Sequence, residues 1–179
     1  MNEEVDLEII KKAITAACQE LVKKKYYDRE WTSMILHEVL KTMPDGLLCC
    51  CSSCRDTDSD CKPCYSEWLY DMTWYKEDTT THRLKSVVLV LESEWLKSDY
   101  ELRYDFEKLL QAKCKTKVFI CQCCRAIKIA RDGIKAYGAN DKNERYLIAV
   151  YNDSKKGFIF RKFDGTGEKT EDDKLEEAQ

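Results

Sequence analysis

The stretch VVLVLESEW, residues 87–95, is the most informative segment for inferring the fold of this chain. Five apolar residues run without a break, as in a strand covered on both faces, and then Glu92 and Glu94 follow two positions apart. Because side chains alternate along a strand, both glutamates share one face with Val88 and Val90. A buried carboxylate is costly unless it is paired or bound to a metal. The stretch therefore predicts a partner for these acids at the end of a buried strand.

The segments around this strand alternate between helical and extended patterns. Apolar residues recur at helical spacing in four segments, which predict helices over residues 6–25, 29–43, 98–113 and 124–138, the last closed by Gly138. Extended patterns predict a short strand from 47, then strands at 66–76, 86–95 and 116–122, and a hairpin of RYLIAVYND and GFIFRKFD. The order in the middle of the chain predicts an α/β fold, with a mixed sheet flanked by helices.

Length and charge bound the class of protein. The 179 residues suggest a single domain, which we place at residues 1–167, followed by an acidic and flexible tail at 168–179. The formal net charge is -3, which neither shows nor excludes a local nucleic-acid face. The acidic N-terminus does not resemble a secretory signal, and no segment reaches the roughly 18 apolar residues of a membrane span. We therefore expect a cytoplasmic protein without a membrane partner.

Asp71 is the acid that can join the two glutamates. It lies in the aromatic run WLYDMTWY of the preceding predicted strand. If the two strands pair, its carboxylate lies roughly 5 Å from a glutamate across the ladder, where carboxylates repel each other unless a cation is present. Mg²⁺ or Mn²⁺, hard ions that take oxygen ligands, fit best. The residues thus predict a metal site of Asp71, Glu92 and Glu94, and the alternative is a set of acids at the solvated end of a sheet.

This arrangement resembles the PD-(D/E)XK nuclease superfamily, which has the restriction-endonuclease-like fold. That family has an αβββαβ core, with an aspartate on the second strand and an acidic-x-Lys motif on the third. The residues that carry the resemblance are Asp71 in LYDMTW and Glu92-Ser93-Glu94 in VLESEW. The resemblance covers roughly residues 30–122 and implies a restriction-endonuclease-like αβββαβ core with a mixed central sheet.

The resemblance also implies an activity. Glu94 stands at the usual lysine position, and some members move that lysine to the following helix, where DFEKLL supplies Lys108, with Lys97 as second choice. The implied function is Mg²⁺-dependent or Mn²⁺-dependent hydrolysis of nucleic-acid phosphodiester bonds, with DNA favoured over RNA. Asp71, Glu92 and Glu94 would bind the metal, and Lys108 would stabilise the phosphate charge or orient the attacking water. The alternative is an inactive member that works through contacts with a protein partner or a second copy of the chain.

Eleven cysteines are a second unusual feature. Without a signal peptide they are interpreted as reduced thiols. Two CxxC pairs, Cys51 with Cys54 and Cys61 with Cys64, suit a structural Zn²⁺ site within a Cys-rich insertion at 49–64. The six residues between the pairs are fewer than in common zinc ribbons, so free thiols and disulfides stay open. A zinc-dependent binding module without nuclease ancestry is a further hypothesis.

Basic residues lie in and around the predicted strand at 116–122. KCKTKVF, with Arg125, Lys128, Arg131 and Lys135, has the charge to follow nucleic-acid phosphates. A solvated helix face explains the same residues equally well. Neither histidine, His37 nor His82, is framed by residues that indicate catalysis.

Overall fold

The structure is a computed structural model that describes residues 5–24, 28–52, 64–170 and 175–177. Within these ranges the chain forms four helices and eight strands. In chain order they are α1 (Leu7–Lys24), α2 (Asp28–Lys41), β1 (Leu48–Cys51), β2 (Cys64–Tyr65), β3 (Met72–Glu77), β4 (Leu84–Glu94), α3 (Asp99–Gln111), β5 (Thr116–Cys121), α4 (Arg125–Ala136), β6 (Arg145–Asn152), β7 (Gly157–Asp164) and β8 (Leu175–Glu177). The predicted α/β class is confirmed.

All eight strands belong to one mixed sheet, in the order β2-β1-β3-β4-β5-β6-β7-β8. Strands β4, β5 and β6 run parallel, while β3 is antiparallel to both β1 and β4. Parallel neighbours need a crossover connection, and α3 and α4 provide it. The register sets Glu92 opposite Phe119 and Glu94 opposite Cys121, so both glutamates lie at the C-terminal ends of β4 and β5.

Helices cover both faces of the sheet, which explains the continuous apolar runs of the central strands. Leu89 and Leu91 pack in the core that contains α1 and α2, and Val90 packs in the core that contains α3 and α4. Strand alternation therefore directs Glu92 and Glu94 toward the α3 side. Across the described ranges, no helix is long and apolar enough to cross a membrane.

The structure differs from the sequence prediction at several element boundaries. The strand predicted at 66–76 begins only at Met72, because residues 65–69 are exposed and have no core to join. Asp71 therefore precedes β3 instead of lying within it. Helix α4 ends at Ala136, two residues before the predicted Gly138, and the Tyr137 N–H donates to the Gly133 carbonyl.

Two predicted segments contain strands. Cys49, Cys50 and Cys51, the first residues of the predicted Cys-rich insertion at 49–64, belong to β1. Part of the segment predicted as a flexible tail, Leu175–Glu177, forms β8 and pairs antiparallel with β7. The register pairs Leu175 with Ile159, and the acidic composition of the segment gave no indication of this strand.

Candidate functional site

Glu92 is the most buried acid of the site. Its side chain comes from the end of the buried stretch 89–92 of β4 and is 3% exposed. The Lys108 ammonium of α3 lies 2.8 Å from Glu92 Oε1. Lys108 therefore supplies a charge partner for a carboxylate that is almost fully removed from water.

Helix α3 contributes a second acid, Asp105. Its Oδ1 lies 2.9 Å from Lys108 Nζ, three residues along the same helix face. Glu94 interacts with Asp105 as well, and its Oε1 accepts a hydrogen bond of 2.6 Å from the Leu96 N–H. The end of β4 and the adjacent face of α3 therefore bring together three carboxylates and one ammonium.

Burial and crowding of like charges perturb the acids. Burial raises the pKa of Glu92 to about 8; Lys108 opposes this shift, and the Asp71 charge adds to it. Burial and the neighbouring Asp105 raise the pKa of Glu94 to about 7. Burial alone would lower the pKa of Lys108, but its contacts with Glu92 and Asp105 raise it overall. The site therefore holds protons near neutral pH, and Lys108 stays charged.

A chain of hydrogen bonds orients Asp71. Its Oδ2 accepts from the Ser93 N–H at 2.8 Å and from the Ser93 hydroxyl at 2.6 Å. The Ser93 hydroxyl has one proton and donates it to Asp71, so the Thr32 hydroxyl, 3.0 Å away, must be the donor to Ser93. Thr32 in turn accepts from Trp95 Nε1 at 2.8 Å. Helix α2 thereby fixes an acid that lies beside β4.

The predicted metal ligands are neighbours, but they do not form a ready-made ligand set. Asp71 is close enough for its charge to raise the pKa of Glu92. Within the described ranges, no group of three or more His, Cys, Asp or Glu side chains is arranged to hold a metal ion. Asp71 accepts from Ser93, Glu92 contacts Lys108, and Glu94 interacts with Asp105. In kind, these carboxylate oxygens fit a hard divalent ion.

The residues predicted to bind zinc are described only in part. Cys54 and Cys61 lie outside the described residues. Cys51 is buried in β1, and the backbone of Cys64 pairs with that of Cys49 in the sheet. The zinc site therefore stays a prediction.

The basic residues after α3 already have partners in the fold. Lys117 is 0% exposed, and its ammonium lies 2.8 Å from Glu144 Oε2 and 3.0 Å from the Tyr146 hydroxyl, so it cannot reach a phosphate. On the surface, salt bridges join Arg125 to Asp99, Lys128 and Arg131 to Asp132, and Lys135 to Glu168. The structure favours the interpretation of these residues as a solvated helix face.

The sequence interpretation missed Asp105 and the Thr32–Ser93 pair. A signal for Asp105 existed, because a residue three positions before Lys108 shares its helix face. No local signal could indicate the contact between Thr32 and Ser93, since 61 positions separate them.

Comparison with known proteins returns no relative. No family model matches the chain, and neither a curated protein nor a solved structure matches it.

Proposed function

We propose that this chain is a metal-dependent nuclease that hydrolyses phosphodiester bonds of nucleic acid. The observation that carries the proposal is Glu92, a carboxylate that is 3% exposed and lies close enough to Asp71 for that charge to raise its pKa. A protein interior tolerates such a group when it is protonated, paired or bound to a cation. Four carboxylates lie near one another here: the Lys108 ammonium contacts those of Glu92 and Asp105, while Asp71 acts on Glu92 and Glu94 interacts with Asp105. This excess of negative charge favours a divalent cation.

The order of elements supports the same proposal. Helix α2, strands β1, β3 and β4, helix α3 and strand β5 follow the αβββαβ order of the restriction-endonuclease-like fold, with the two-residue β2 added. Asp71 directly precedes the second long strand, and Glu92-Ser93-Glu94 ends the third. The resemblance with PD-(D/E)XK nucleases expects an acid on each of these two strands; Glu92 lies on the third, and Asp71 lies one residue before the second. We propose a restriction-endonuclease-like core on this basis.

In the proposed mechanism, Asp71, Glu92 and Glu94 would hold Mg²⁺ or Mn²⁺. A bound ion of this kind lowers the pKa of water and neutralises charge on a phosphate. Glu94, at the end of β4, would accept the proton of the attacking water. Lys108 stays protonated and can donate to a phosphate oxygen as negative charge builds up. Ser93 keeps the Asp71 carboxylate in place.

A non-catalytic role is the second candidate. The acids are engaged by Ser93, Lys108 and Asp105, and no three-donor set occurs in the described residues. A chain in which these contacts were permanent would keep the fold and act through contacts with a protein partner. Metal binding separates the two candidates.

The test measures Mn²⁺ binding by calorimetry and Mg²⁺-dependent cleavage of labelled DNA and RNA. We expect the parent chain to bind Mn²⁺ and to cleave, and EDTA to stop cleavage. Asp71→Ala and Glu92→Gln should lose about a hundredfold or more of both properties. Glu107→Gln is the matched control, because Glu107 lies on the same helix but is exposed and pairs with Arg103. If Asp71→Ala and Glu92→Gln bind and cleave as the parent does, the site is assigned wrongly.

A further inference from the structure

Two tyrosines of α3 are not used by the fold. The side chain of Tyr100 is 72% exposed and that of Tyr104 is 57% exposed. Helix α3 packs on the sheet through a different set of side chains, Leu102, Phe106, Leu109 and Leu110. The two phenol rings lie one turn apart and nearly parallel, with centroids 6.3 Å apart and an interplanar angle of 18°. Both side chains are thus largely exposed to solvent, although an aromatic side chain gains most by burial.

The tyrosines lie on the helix that carries part of the acidic site. Tyr100, Tyr104 and Lys108 are spaced four residues apart, so they follow one face of α3 over about 12 Å. Lys108 contacts Glu92 at 2.8 Å. A ligand that lies along this face therefore reaches from the aromatic rings to the carboxylates.

The chemistry of this face favours a strand with unpaired bases. Every nucleobase has a π-face that stacks on an aromatic side chain, and such stacking needs no particular sequence. In a duplex, neighbouring base pairs already cover these faces, so only a single strand offers them freely. Lys97, just before α3, is exposed, and its ammonium makes no ion pair with any residue in the described ranges, so it can contact a phosphate.

We propose that Tyr100 and Tyr104 form a stacking platform that binds bases of single-stranded nucleic acid and leads the strand to the carboxylates of β4 and α3. This inference rests on the proposed function, because it names the substrate class of the same site. It extends that function by adding a base-binding surface that makes no contact with a metal.

The test is fluorescence anisotropy with a labelled single-stranded oligonucleotide and an abasic oligonucleotide of the same length, which keeps the phosphates and lacks the bases. The double variant Tyr100→Ala/Tyr104→Ala should weaken binding of the base-containing strand by about tenfold or more, and binding of the abasic strand hardly at all. The double variant Tyr100→Phe/Tyr104→Phe should bind as the parent does, because it keeps both rings. Tyr65→Ala removes an exposed tyrosine of β2 and is the matched control.

Three results would overturn the platform. The first is an alanine double variant with the affinity of the parent, and the second is an equal loss with the abasic strand. The third is absence of oligonucleotide binding; if sedimentation then shows self-association that the alanine variant loses, the tyrosines belong to a protein interface.

The stacking-platform proposal and the nuclease proposal can be refuted separately. Cleavage that is unaffected in the alanine variant refutes the platform alone, while ring-dependent binding without Mn²⁺ binding or cleavage refutes the nuclease alone.

Discussion

At Glu92, burial and charge act against each other. The side chain is 3% exposed, and one ammonium, that of Lys108, contacts it at 2.8 Å. Asp71 and Asp105 add negative charge around it, and the net result is a pKa of about 8. The proton on this carboxyl is therefore part of the stability of the folded chain when no cation is present.

The first prediction concerns stability and pH. The pKa of Glu92 is about 8 in the folded chain and about 4.3 in an unfolded one, so its stabilising contribution is complete below the lower value and is lost as pH rises through the higher one. In EDTA, the free energy of unfolding should fall by a few kcal/mol between about pH 5 and pH 9. Glu92→Gln should flatten this fall. Urea unfolding across this range measures it, and parallel profiles for parent and variant would contradict the prediction.

The second prediction concerns Ser93, which positions Asp71. Ser93→Ala removes the hydroxyl donor to Asp71 and leaves Thr32 without its acceptor, so unfolding should become easier by about 1–3 kcal/mol. Mn²⁺ binding should weaken by about tenfold without being abolished, because the Ser93 N–H still holds Asp71. Ser86→Ala, at an exposed position of the same strand, should change neither quantity. Calorimetry and urea unfolding supply the two measurements.

At the scale of the element, β4 and α3 act as one unit. Ser98 caps α3 by accepting a hydrogen bond of 3.2 Å from the Glu101 N–H, which fixes where the helix begins. The Tyr70 hydroxyl donates to the Lys108 carbonyl at 3.3 Å and ties the segment before Asp71 to the same helix. The positions of Asp105 and Lys108 therefore follow from the cap and from the packing of the opposite helix face.

The third prediction concerns the buried ion pair between β5 and the segment before β6. Lys117→Met leaves the Glu144 carboxylate without its ammonium partner, and we expect a loss of about 3–5 kcal/mol in the free energy of unfolding. The double variant Lys117→Met/Glu144→Gln should recover much of that loss, because no uncompensated charge remains. Lys128→Met breaks an exposed pair with Asp132 and should leave the free energy of unfolding nearly unchanged. Additive losses in the double variant would show that the two side chains act independently.

At the scale of the whole molecule, two cores enclose one sheet, and the acidic site lies where the sheet meets α3. Repulsion among the carboxylates opposes folding of the entire domain, because β4 is central to both cores. A cation that binds only the folded chain would therefore stabilise all of it.

The fourth prediction follows from this linkage. Mg²⁺ or Mn²⁺ at one hundred times its Kd should add about 2.7 kcal/mol and raise the Tm by roughly 5–10 °C for a domain of this size. Differential scanning fluorimetry measures the shift. NaCl at matched ionic strength separates specific binding from screening of charge. An equal shift in Asp71→Ala and Glu92→Gln would place the ion elsewhere on the molecule.

From the sequence alone, three features could be predicted: the α/β class, the order of the long helices and strands, and the strand face shared by Glu92 and Glu94. Period and alternation carry this information, because they depend on neighbours within a few positions along the chain. It also predicted Lys108 as the nearby cation, through a resemblance, and the structure places Lys108 beside Glu92. The start of β3 was predicted wrongly, because the aromatic residues before Asp71 look β-prone but have no core to join.

The groups that the acids contact could be identified only from the three-dimensional structure. Ser93 meets Asp71 across 22 positions and Thr32 across 61, and Lys117 meets Glu144 across 27. Such contacts depend on strand register and helix placement, which no local pattern encodes. The tertiary structure also showed that Tyr100 and Tyr104 are exposed rather than packed in the core, because burial is set by what lies against a helix face.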